Sequence, residues 1–342
     1  LVRPKVVVAT PESLDRVREA ASGLRHPKAL LVAGEDEVAL REGEYSLSAL
    51  MAEASDELTP EPTHREDLAF WNFSGGTTGK PKGVPHMHRD GAISFLSFDY
   101  ILGFKADDIV LRVPKMFFHY SRDLGALFPL RSGATLVLFE ERTTKELLFD
   151  LIERYRPTIL CNVPTMMRAM LRTPAAERPD FSCIRRSYSS GEALSAQLYN
   201  EWAATFGHDV VNRFGSAESA MAYLGNREGA VMPGSSGTVT PFSWVKLVDG
   251  DGVEVARGEP GKLLARCPSA GRYYEREHDK SVETFLGDYW VDTGDLFTQD
   301  ENDYFWYAGR ANEMVKVSGV WVSPLEIERG LNTHPDVKEA VA

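Results

Sequence analysis

The feature that most constrains this chain is a loop rich in glycine, hydroxyl and lysine residues at positions 73–83. It reads Phe-Ser-Gly-Gly-Thr-Thr-Gly-Lys-Pro-Lys-Gly and follows the apolar run 69–71. Glycines let backbone N–H groups turn toward an anion, hydroxyls add neutral donors, and Lys80 and Lys82 add positive charge. The spacing is not that of a Walker loop, because Ser74 stands where its first glycine belongs and a proline follows the first lysine. We therefore expect a polyphosphate-binding loop.

Composition limits which partners are plausible. The chain has 342 residues, is 43% hydrophobic and carries a formal net charge of −12. Such a charge gives no overall attraction to nucleic acid or anionic membranes, so local groups must hold any phosphate ligand. Three widely spaced cysteines, Cys161, Cys183 and Cys267, suggest neither a disulfide framework nor a metal site and favour a cytoplasmic location. The absence of an initiator methionine suggests a piece of a longer protein.

The pattern from Lys5 to about Gly215 predicts an α/β fold with parallel strands flanked by helices, because short β-branched runs alternate with amphipathic segments. Asp90 is expected to cap a helix beyond Gly91, and residues 143–146 read as a capping box that starts another helix. The predicted strands are 5–9, 29–33, 109–113, 134–139, 158–161, 184–188 and 209–212.

The texture changes after about Gly237 to period-two segments with tight turns, which predicts a small antiparallel, barrel-like β unit. A polar connector follows at 309–313, and too few residues remain after it for an independent domain. We therefore predict an α/β core at 1–236 with its N-terminal part missing, a β subdomain at 237–308, and the hinge and beginning of a small mobile α+β domain at 309–342.

Five segments, taken in order, resemble the core motifs of the acyl-adenylating (AMP-forming) superfamily, which includes acyl-CoA synthetases, peptide-synthetase adenylation domains and luciferases. Residues 115–120, 128–135 and 307–328 look most like benzoate-CoA ligases and their aryl-acid relatives. The five segments are 74–83, 190–192, 214–218, 293–295 and 309–319.

The resemblance implies a two-step reaction. A substrate carboxylate attacks the α-phosphate of ATP to give an acyl-AMP and pyrophosphate, and the thiol of coenzyme A then displaces AMP. Two alternatives stay open: a stand-alone adenylation enzyme that loads a carrier protein, and a non-catalytic nucleotide-binding homologue. The resemblance names no nucleic-acid or membrane partner, and it leaves a homodimer open.

The resemblance also assigns the phosphate site. Thr77, Thr78 and Lys82 would act on the departing pyrophosphate, and Glu218 would hold Mg²⁺, because a hard dication prefers carboxylate oxygen. In the absence of the neighbouring motifs, Glu218 would be read as a solvated surface charge. The remaining loop residues expected at the phosphates are Ser74, Gly75, Gly76, Gly79 and Lys80.

The nucleoside and coenzyme A sites follow from the other motifs. Asp295 would accept hydrogen bonds from the ribose hydroxyls, although a simple turn aspartate is its alternative reading, and Arg310 would donate to the same ribose. Asn312 occupies the hinge position, and Lys316 and Gly319 would approach the pantetheine arm, unless their loop is an ordinary exposed turn. The residues expected around adenine are Gly191, Glu192, Ala193, Asn212, Arg213, Phe214 and Gly215, of which Phe214 could equally be core.

The acyl pocket is assigned from position within the resemblance. Phe118 would act as the gate, His119 and Tyr120 would follow it, and Gly215, Met221 and Ala222 would form the floor. A short pocket bounded by aromatic rings suits an aryl ring. Our hypothesis is a substituted or somewhat longer aryl acid with a polar group near His119.

The sequence departs from the family pattern in three ways. Gly75 replaces a hydroxyl residue of the phosphate loop, and the chain stops before the position of the family's catalytic lysine. Ala217 replaces the threonine that precedes the magnesium glutamate, so a transition-state donor is expected to be missing unless Ser216 or Ser219 supplies one.

Overall fold

The computed structural model describes residues 2–34, 38–75, 80–317, 320–322 and 324–331, together with residues 334, 337 and 340. The chain divides into two units, Leu1–His64 and Arg65–Ala342. The domain boundaries predicted after residues 236 and 308 remain predictions. Within the described part of the chain, no helix has both the length and the apolar character needed to cross a bilayer.

The first unit is built on a three-stranded parallel sheet. Its strands are β1 (Val6–Ala9), β2 (Ala29–Val32) and β3 (Glu44–Ser46), in that spatial order, and its helices are α1 (Pro11–Ala21) and α2 (Leu47–Glu53). Leu14 of α1 packs against Leu30 and Val32. The two strands predicted here are confirmed, and α1 begins at Pro11 directly after Thr10 because proline is suited to the first helical position.

The second unit is larger and contains the remaining elements. Its helices are α3 (His88–Leu102), α4 (His119–Arg122), α5 (Phe128–Ser132), α6 (Lys145–Tyr155), α7 (Pro164–Leu171), α8 (Ala196–Phe206), α9 (His278–Thr284) and α10 (Pro324–Leu331), with a π-helix at Asp123–Leu127 and a 3₁₀ helix at Ala175–Glu177. Its strands are β4 (Leu68–Ser74), β5 (Lys82–Met87), β6 (Ile109–Arg112), β7 (Thr135–Val137), β8 (Ile159–Asn162), β9 (Arg186–Ser189), β10 (Val210–Gly215), β11 (Ala222–Gly225), β12 (Thr238–Val239), β13 (Trp244–Val248), β14 (Gly261–Arg266), β15 (Trp290–Gln299), β16 (Phe305–Arg310), β17 (Val315–Val317) and β18 (Val320–Val322).

A seven-stranded sheet in the order β12-β11-β10-β9-β8-β6-β7 organises this unit. The strands from β7 to β10 are parallel, as predicted, whereas β10, β11 and β12 pair antiparallel. Successive side chains of a strand face opposite sides of the sheet, so Val110 packs with α3 on one face and Leu111 packs with α6 on the other. Both faces are therefore covered, as a parallel sheet requires.

The antiparallel unit predicted after Gly237 is a four-stranded sheet in the order β13-β14-β15-β16. Its core contains Leu247, Leu263 and Phe297, and Phe214 of β10 packs against that core. This sheet therefore adjoins the antiparallel edge of the seven-stranded sheet, and β15 and β16 bring polar residues toward the end of β10.

The start predicted for α3 is wrong. The helix begins at His88, so Asp90 is its third residue and not a cap in front of Gly91. Asp90 nevertheless serves the helix start, because its Oδ2 accepts the backbone N–H of Met87 at 2.8 Å. A carboxylate in the first turn also favours the positive end of the helix dipole. The aspartate thus correctly indicated the N-terminus of a helix, but the first residue of that helix was predicted too late in the sequence.

Candidate active site

A cavity of about 380 Å³ lies at the carboxyl ends of β9 and β10. Loops at that edge of a parallel sheet converge, which is why ligands of open α/β folds bind there. Most of the wall comes from two stretches of chain, 188–194 from β9 onward and 212–222 from β10 to β11. Asp295 of β15 and Tyr307 and Arg310 of β16 complete it.

Thirteen residues predicted for the nucleotide or acyl sites line this one cavity, although they come from five separate parts of the sequence. Their chemical roles remain predictions, but the structure brings them together. They are His119, Tyr120, Gly191, Glu192, Ala193, Asn212, Arg213, Phe214, Gly215, Met221, Ala222, Asp295 and Arg310.

Gly215 ends β10 where a side chain could not be accommodated. A Cβ atom built there would lie 2.5 Å from the Met221 carbonyl oxygen and 2.7 Å from the Ala222 Cα. Both contacts are to backbone, so the strand and not a flexible side chain would have to move. The pairing of β10 with β11 shifts register between Phe214 and Gly215. The glycine therefore permits the close approach that turns the β10 end toward the cavity.

One side of the cavity combines aromatic rings with a polar network. The Phe214 ring lies 5.5 Å from the Tyr307 ring with 34° between their planes, and both rings also pack against Phe297. Asn212 Nδ2 donates to the Ser235 carbonyl at 2.9 Å. Phe214 thus serves the core and the cavity wall together. Sequence reasoning assigned no role to Tyr307, although it begins the segment 307–328, and it missed Ser235, which lies in no recognised motif.

Asp295 and Arg310 face each other across β15 and β16, where they are register partners. Arg310 Nε lies 3.2 Å from Asp295 Oδ1, and Arg310 Nη1 donates to the Thr293 carbonyl at 3.0 Å. Burial raises the pKa of Asp295 to about 7, although the Arg310 charge opposes that rise. The carboxylate is therefore desolvated before any ligand arrives, which leaves it short of hydrogen-bond donors.

Replacing Asp295 by Asn is expected to stabilise the unliganded protein by about 2 kcal/mol at pH 8, since the cost of a buried charge disappears while one half-exposed ion pair is lost. Because the folded-state pKa is raised, the wild-type protein should gain stability as the pH falls from about 7 toward 4, and the variant should lack this gain. Urea unfolding at several pH values measures both effects. A variant less stable than wild type at pH 8 would contradict the expectation.

Glu218 lies at the centre of a second polar cluster near the cavity. Its Oε1 accepts the Tyr274 hydroxyl at 2.7 Å, and Ser74 and Ser216 lie beside the same carboxylate. Burial alone would raise the pKa of Glu218, but the hydrogen bonds from Tyr274 and from the backbone, together with the nearby serine hydroxyls, outweigh it and hold the pKa below its usual range. The carboxylate is therefore ionised at neutral pH. Tyr274 was not predicted, because it contacts Glu218 from 56 residues away in the sequence.

Lys82 joins this cluster from the far end of the phosphate loop. Its Nζ lies 4.3 Å from the centre of the Tyr274 ring, and burial lowers its pKa while Glu218 opposes that change. Ser74 and Lys82 are partners in the β4–β5 ladder, so the loop between them closes a hairpin. Gly75 and Lys80 are exposed, and Gly76, Thr77, Thr78 and Gly79 lie outside the described residues. Ser74 and Lys82, the two strand residues that flank the predicted phosphate loop, thus lie beside the Glu218 cluster.

The other side of the cavity carries His119 and Tyr120. Burial lowers the pKa of His119 to about 4, so its imidazole is neutral at physiological pH. The neutral ring has one N–H donor and one acceptor nitrogen, and His119 lines the cavity. Phe118 is half exposed, its ring centre lies 4.5 Å from that of Phe117, and it does not line the cavity. Its gating role remains a prediction.

Ala217 is held in place through its main chain. Its carbonyl oxygen accepts His86 Nε2 at 2.9 Å and lies 3.5 Å from Asn72 Nδ2. The Ser219 hydroxyl donates to the Met221 carbonyl at 2.6 Å and is therefore already committed. Of the two hydroxyls considered as replacements for the missing threonine, only Ser216 lies beside Glu218.

The predicted hinge and coenzyme A residues follow β16. Asn312 is exposed in the turn after Arg310, and Lys316 lies within β17. Gly319 lies outside the described residues. Their roles remain predictions.

Comparison with known proteins agrees with this geometry. The family model described as "AMP-binding enzyme" matches residues 1–275. The chain belongs to the AMP-binding enzyme family. This confirms the resemblance inferred from the motifs, and it makes the cavity the natural candidate for the nucleotide site of an AMP-binding enzyme.

Several curated relatives within the AMP-binding family are named as ligases of aryl acids. A 4-hydroxybenzoate–CoA/benzoate–CoA ligase of Rhodopseudomonas palustris is 37% identical over 341 residues, which are 99% of this chain and 62% of the relative. A benzoate–CoA ligase of Thauera aromatica is 39% identical over 300 residues, or 87% of this chain and 57% of the relative. The chain thus spans about three fifths of the length of these relatives.

Solved structures of AMP-binding enzymes share the fold. An anthranilate CoA ligase in complex with anthranoyl-AMP superposes with a TM-score of 0.92 at 34% identity, covering 98% of this chain and 65% of that one. A benzoate CoA ligase from Burkholderia xenovorans gives a TM-score of 0.86 at 33% identity, with the same coverage of 98% and 65%. The predicted α/β architecture is therefore confirmed.

Proposed function

We propose that the protein is an AMP-forming acid–thiol ligase, which converts an aromatic carboxylic acid to its acyl-AMP and then to its coenzyme A thioester. The observation that carries the proposal is that one cavity is lined both by Asp295 and Arg310 and by His119 and Tyr120. Such a cavity suits a molecule with a nucleoside at one end and an aryl group at the other. The relatives named as benzoate and hydroxybenzoate ligases support the aryl acid.

The nucleoside half would be held by complementary polar groups. The desolvated Asp295 carboxylate would accept the two ribose hydroxyls, and Arg310 would orient that carboxylate and donate to the same ribose. The rings of Phe214 and Tyr307 would cover a face of the adenine, while Asn212 and the backbone near Gly191 would contact its edge. The ribose hydroxyls would thereby donate the hydrogen bonds that the buried Asp295 carboxylate does not receive from water.

The phosphates would lie between the Glu218 cluster and the hairpin loop. Lys82 would offset the charge that develops as pyrophosphate departs, and Thr77, Thr78 and the neighbouring backbone N–H groups would donate to the phosphate oxygens. Excluding water from this site strengthens each of these interactions. The chain spans about three fifths of the length of its curated relatives, so the two-step reaction as a whole is a proposal.

Magnesium fits the donor set near Glu218. The carboxylate is ionised, and its oxygens are the hard ligands that Mg²⁺ prefers. The described residues contain no group of three or more histidine, cysteine or acidic side chains suited to a metal, so phosphate and water would supply the other ligands. When bound, the ion would neutralise charge on the phosphates. Tyr274 would keep the Glu218 carboxylate oriented toward it.

Acid-dependent exchange of labelled pyrophosphate into ATP, measured in the full-length gene product, tests the proposal. Benzoate, hydroxybenzoates and aminobenzoates should support exchange, while medium-chain fatty acids should not. Retention of ATP binding without exchange would favour a non-catalytic homologue. Formation of thioester on a carrier protein and not on coenzyme A would favour the carrier-loading alternative, in which Lys316 and Gly319 face a phosphopantetheine arm. A cytoplasmic location and a homodimer remain predictions.

Replacing Tyr274 by Phe is expected to lower the exchange rate about 10-fold and raise the Mg²⁺ concentration needed for half-maximal rate, because one charge-assisted hydrogen bond to Glu218 is lost. Tyr199→Phe is the matched control, since Tyr199 donates to Asp209 at 2.6 Å and neither residue lines the cavity. Steady-state kinetics over a magnesium series measure both. Equal effects of the two substitutions would contradict the positioning role.

Replacing Ala217 by Thr is expected to raise the exchange rate about 10-fold, because a hydroxyl next to Glu218 would restore a donor to the transition state. The same measurement on Ser216→Ala identifies the hydroxyl now in use. If Ala217→Thr has no effect and Ser216→Ala lowers the rate, Ser216 already supplies that donor.

A further inference from the structure

Arg213 is a buried arginine whose charge no carboxylate neutralises within the described part of the chain. Its side chain is almost fully enclosed, its Nη2 donates to Ser97 Oγ at 2.7 Å, and its Cζ lies 3.7 Å from the centre of the Phe98 ring. Nε and Nη1 have no hydrogen-bond partner there. A guanidinium has five N–H donors, so most of this one's hydrogen-bonding capacity is unused.

Such an arrangement is costly for a purely structural residue. An unpaired buried charge and unsatisfied buried donors both oppose folding. Burial lowers the pKa of Arg213 only to about 10, so the side chain remains charged at neutral pH. The contacts with Ser97 and Phe98 hold the guanidinium in place without neutralising it. The Arg213 guanidinium is therefore a buried cation that has no counter-ion among the described residues.

The position of Arg213 relates it to the acyl half of the cavity. Alternation along β10 places its side chain on the sheet face covered by α3, opposite to the faces of Asn212 and Phe214. Phe98, Tyr120 and Tyr188 also line the cavity, and the rings of Phe98 and Tyr120 each lie 6.3 Å from that of Tyr188. An aromatic enclosure with one uncompensated cation in its wall differs from a pocket built for an unsubstituted ring.

We propose that Arg213 is a specificity-determining residue and that it pairs with a second carboxylate on the ring of the aryl acid. The inference rests on the proposed function and names its substrate class as benzenedicarboxylates, of which one carboxylate is activated and the other stays bound to Arg213. A carboxylate supplies both the missing acceptors and the missing negative charge. A hydroxyl on the ring of the substrate would accept a hydrogen bond from one donor of the Arg213 guanidinium, but it would not neutralise the positive charge.

The test compares acids and variants in the full-length gene product. Calorimetry measures the binding of benzoate, benzene-1,3-dicarboxylate and benzene-1,4-dicarboxylate, and pyrophosphate exchange measures their activation. For the wild type, one dicarboxylate should bind at least about 10-fold more tightly than benzoate. Arg213→Met should weaken that dicarboxylate about 100-fold and leave benzoate within about threefold, because only the dicarboxylate loses a charge partner. Arg213→Lys, which keeps the charge without the planar fork, should lie between them.

Arg112→Met is the matched control. Arg112 of β6 is equally buried, also has an unpartnered Nε and also has its pKa lowered by burial, but it does not line the cavity. Its substitution should leave the ratio of dicarboxylate to benzoate affinity unchanged. Equal weakening of both acids by Arg213→Met would instead mean that Arg213 only supports the fold, and it would overturn the inference.

The inference and the proposed function fail in different ways. If benzoate supports exchange but both dicarboxylates bind more weakly than benzoate, the function stands and the inference is overturned. If no acid supports exchange but a dicarboxylate binds in an Arg213-dependent manner, the inference stands and the function fails. Should Arg213→Met not fold, the wild-type comparison of benzoate with the dicarboxylates decides alone.

Discussion

Replacing Glu218 by glutamine is expected to lower the rate of acid-dependent pyrophosphate exchange by about 100- to 1,000-fold. The substitution keeps the size of the side chain and removes its charge. An amide oxygen is a weaker ligand for a hard dication than an ionised carboxylate, and its NH₂ group would face the phosphates. The magnesium concentration for half-maximal rate should therefore rise together with the loss of rate.

Three properties of the site make this effect large. The Glu218 carboxylate is ionised in spite of its burial, Tyr274 orients one of its oxygens at 2.7 Å, and Lys82 shares its surroundings. Removing the charge would take from Lys82 the negative charge that most opposes the effect of burial on it. We therefore also expect the pKa of Lys82 to fall further, since Glu218 is what opposes the effect of burial on it.

Glu283→Gln is the control for Glu218→Gln. Glu283 is an exposed glutamate whose Oε2 accepts from Lys280 at 2.8 Å on α9. Its replacement should leave both the rate and the magnesium dependence unchanged, because surface pairs contribute little. If Glu218→Gln retained wild-type magnesium dependence, the metal role assigned to Glu218 would be ruled out.

Local sequence patterns predicted much of this fold because they report local physics. The strands β6 to β10 lie within three residues of their predicted positions, since each is a short apolar run between helical segments. The antiparallel strands β11 and β12 were missed. Their residues are few, and they are strands only because β10 offers them an edge to pair with. Long-range pairing of this kind leaves no local signal.

In the candidate site, too, residues with a local sequence signal were predicted, whereas residues placed by long-range contacts were not. Asp295, Arg310 and Gly215 were found because each lies in a motif with a recognisable spacing. Tyr274 was not, because a lone tyrosine in a sequence does not indicate which carboxylate it will meet, and Tyr307 was not, because the segment 307–328 does not indicate which ring it will meet. Arg213 lines the cavity and its place around adenine stays a prediction, but the contact of its guanidinium with Phe98 was not predicted. That contact depends on how α3 crosses the sheet, which no spacing along β10 encodes.

Replacing Gly215 by alanine is expected to lower the free energy of unfolding by about 3 kcal/mol and the exchange rate by at least about 100-fold. One added methyl group would overlap the backbone of Met221 and Ala222, so β10 and β11 must separate. Phe214, Met221 and Ala222 would then shift together, and all three line the cavity. Small displacements of this kind are costly when reacting groups must be held in a fixed geometry.

Gly250→Ala is the matched control, because a Cβ atom at Gly250 meets nothing within 4 Å and its backbone does not have a left-handed conformation. It should leave stability unchanged or slightly raised, since alanine restricts the unfolded chain. Chemical denaturation and pyrophosphate exchange on both variants separate the two effects. If Gly215→Ala folded with wild-type stability and activity, the end of β10 could yield without disturbing the cavity, and the close approach of the two strands would not be what shapes the site.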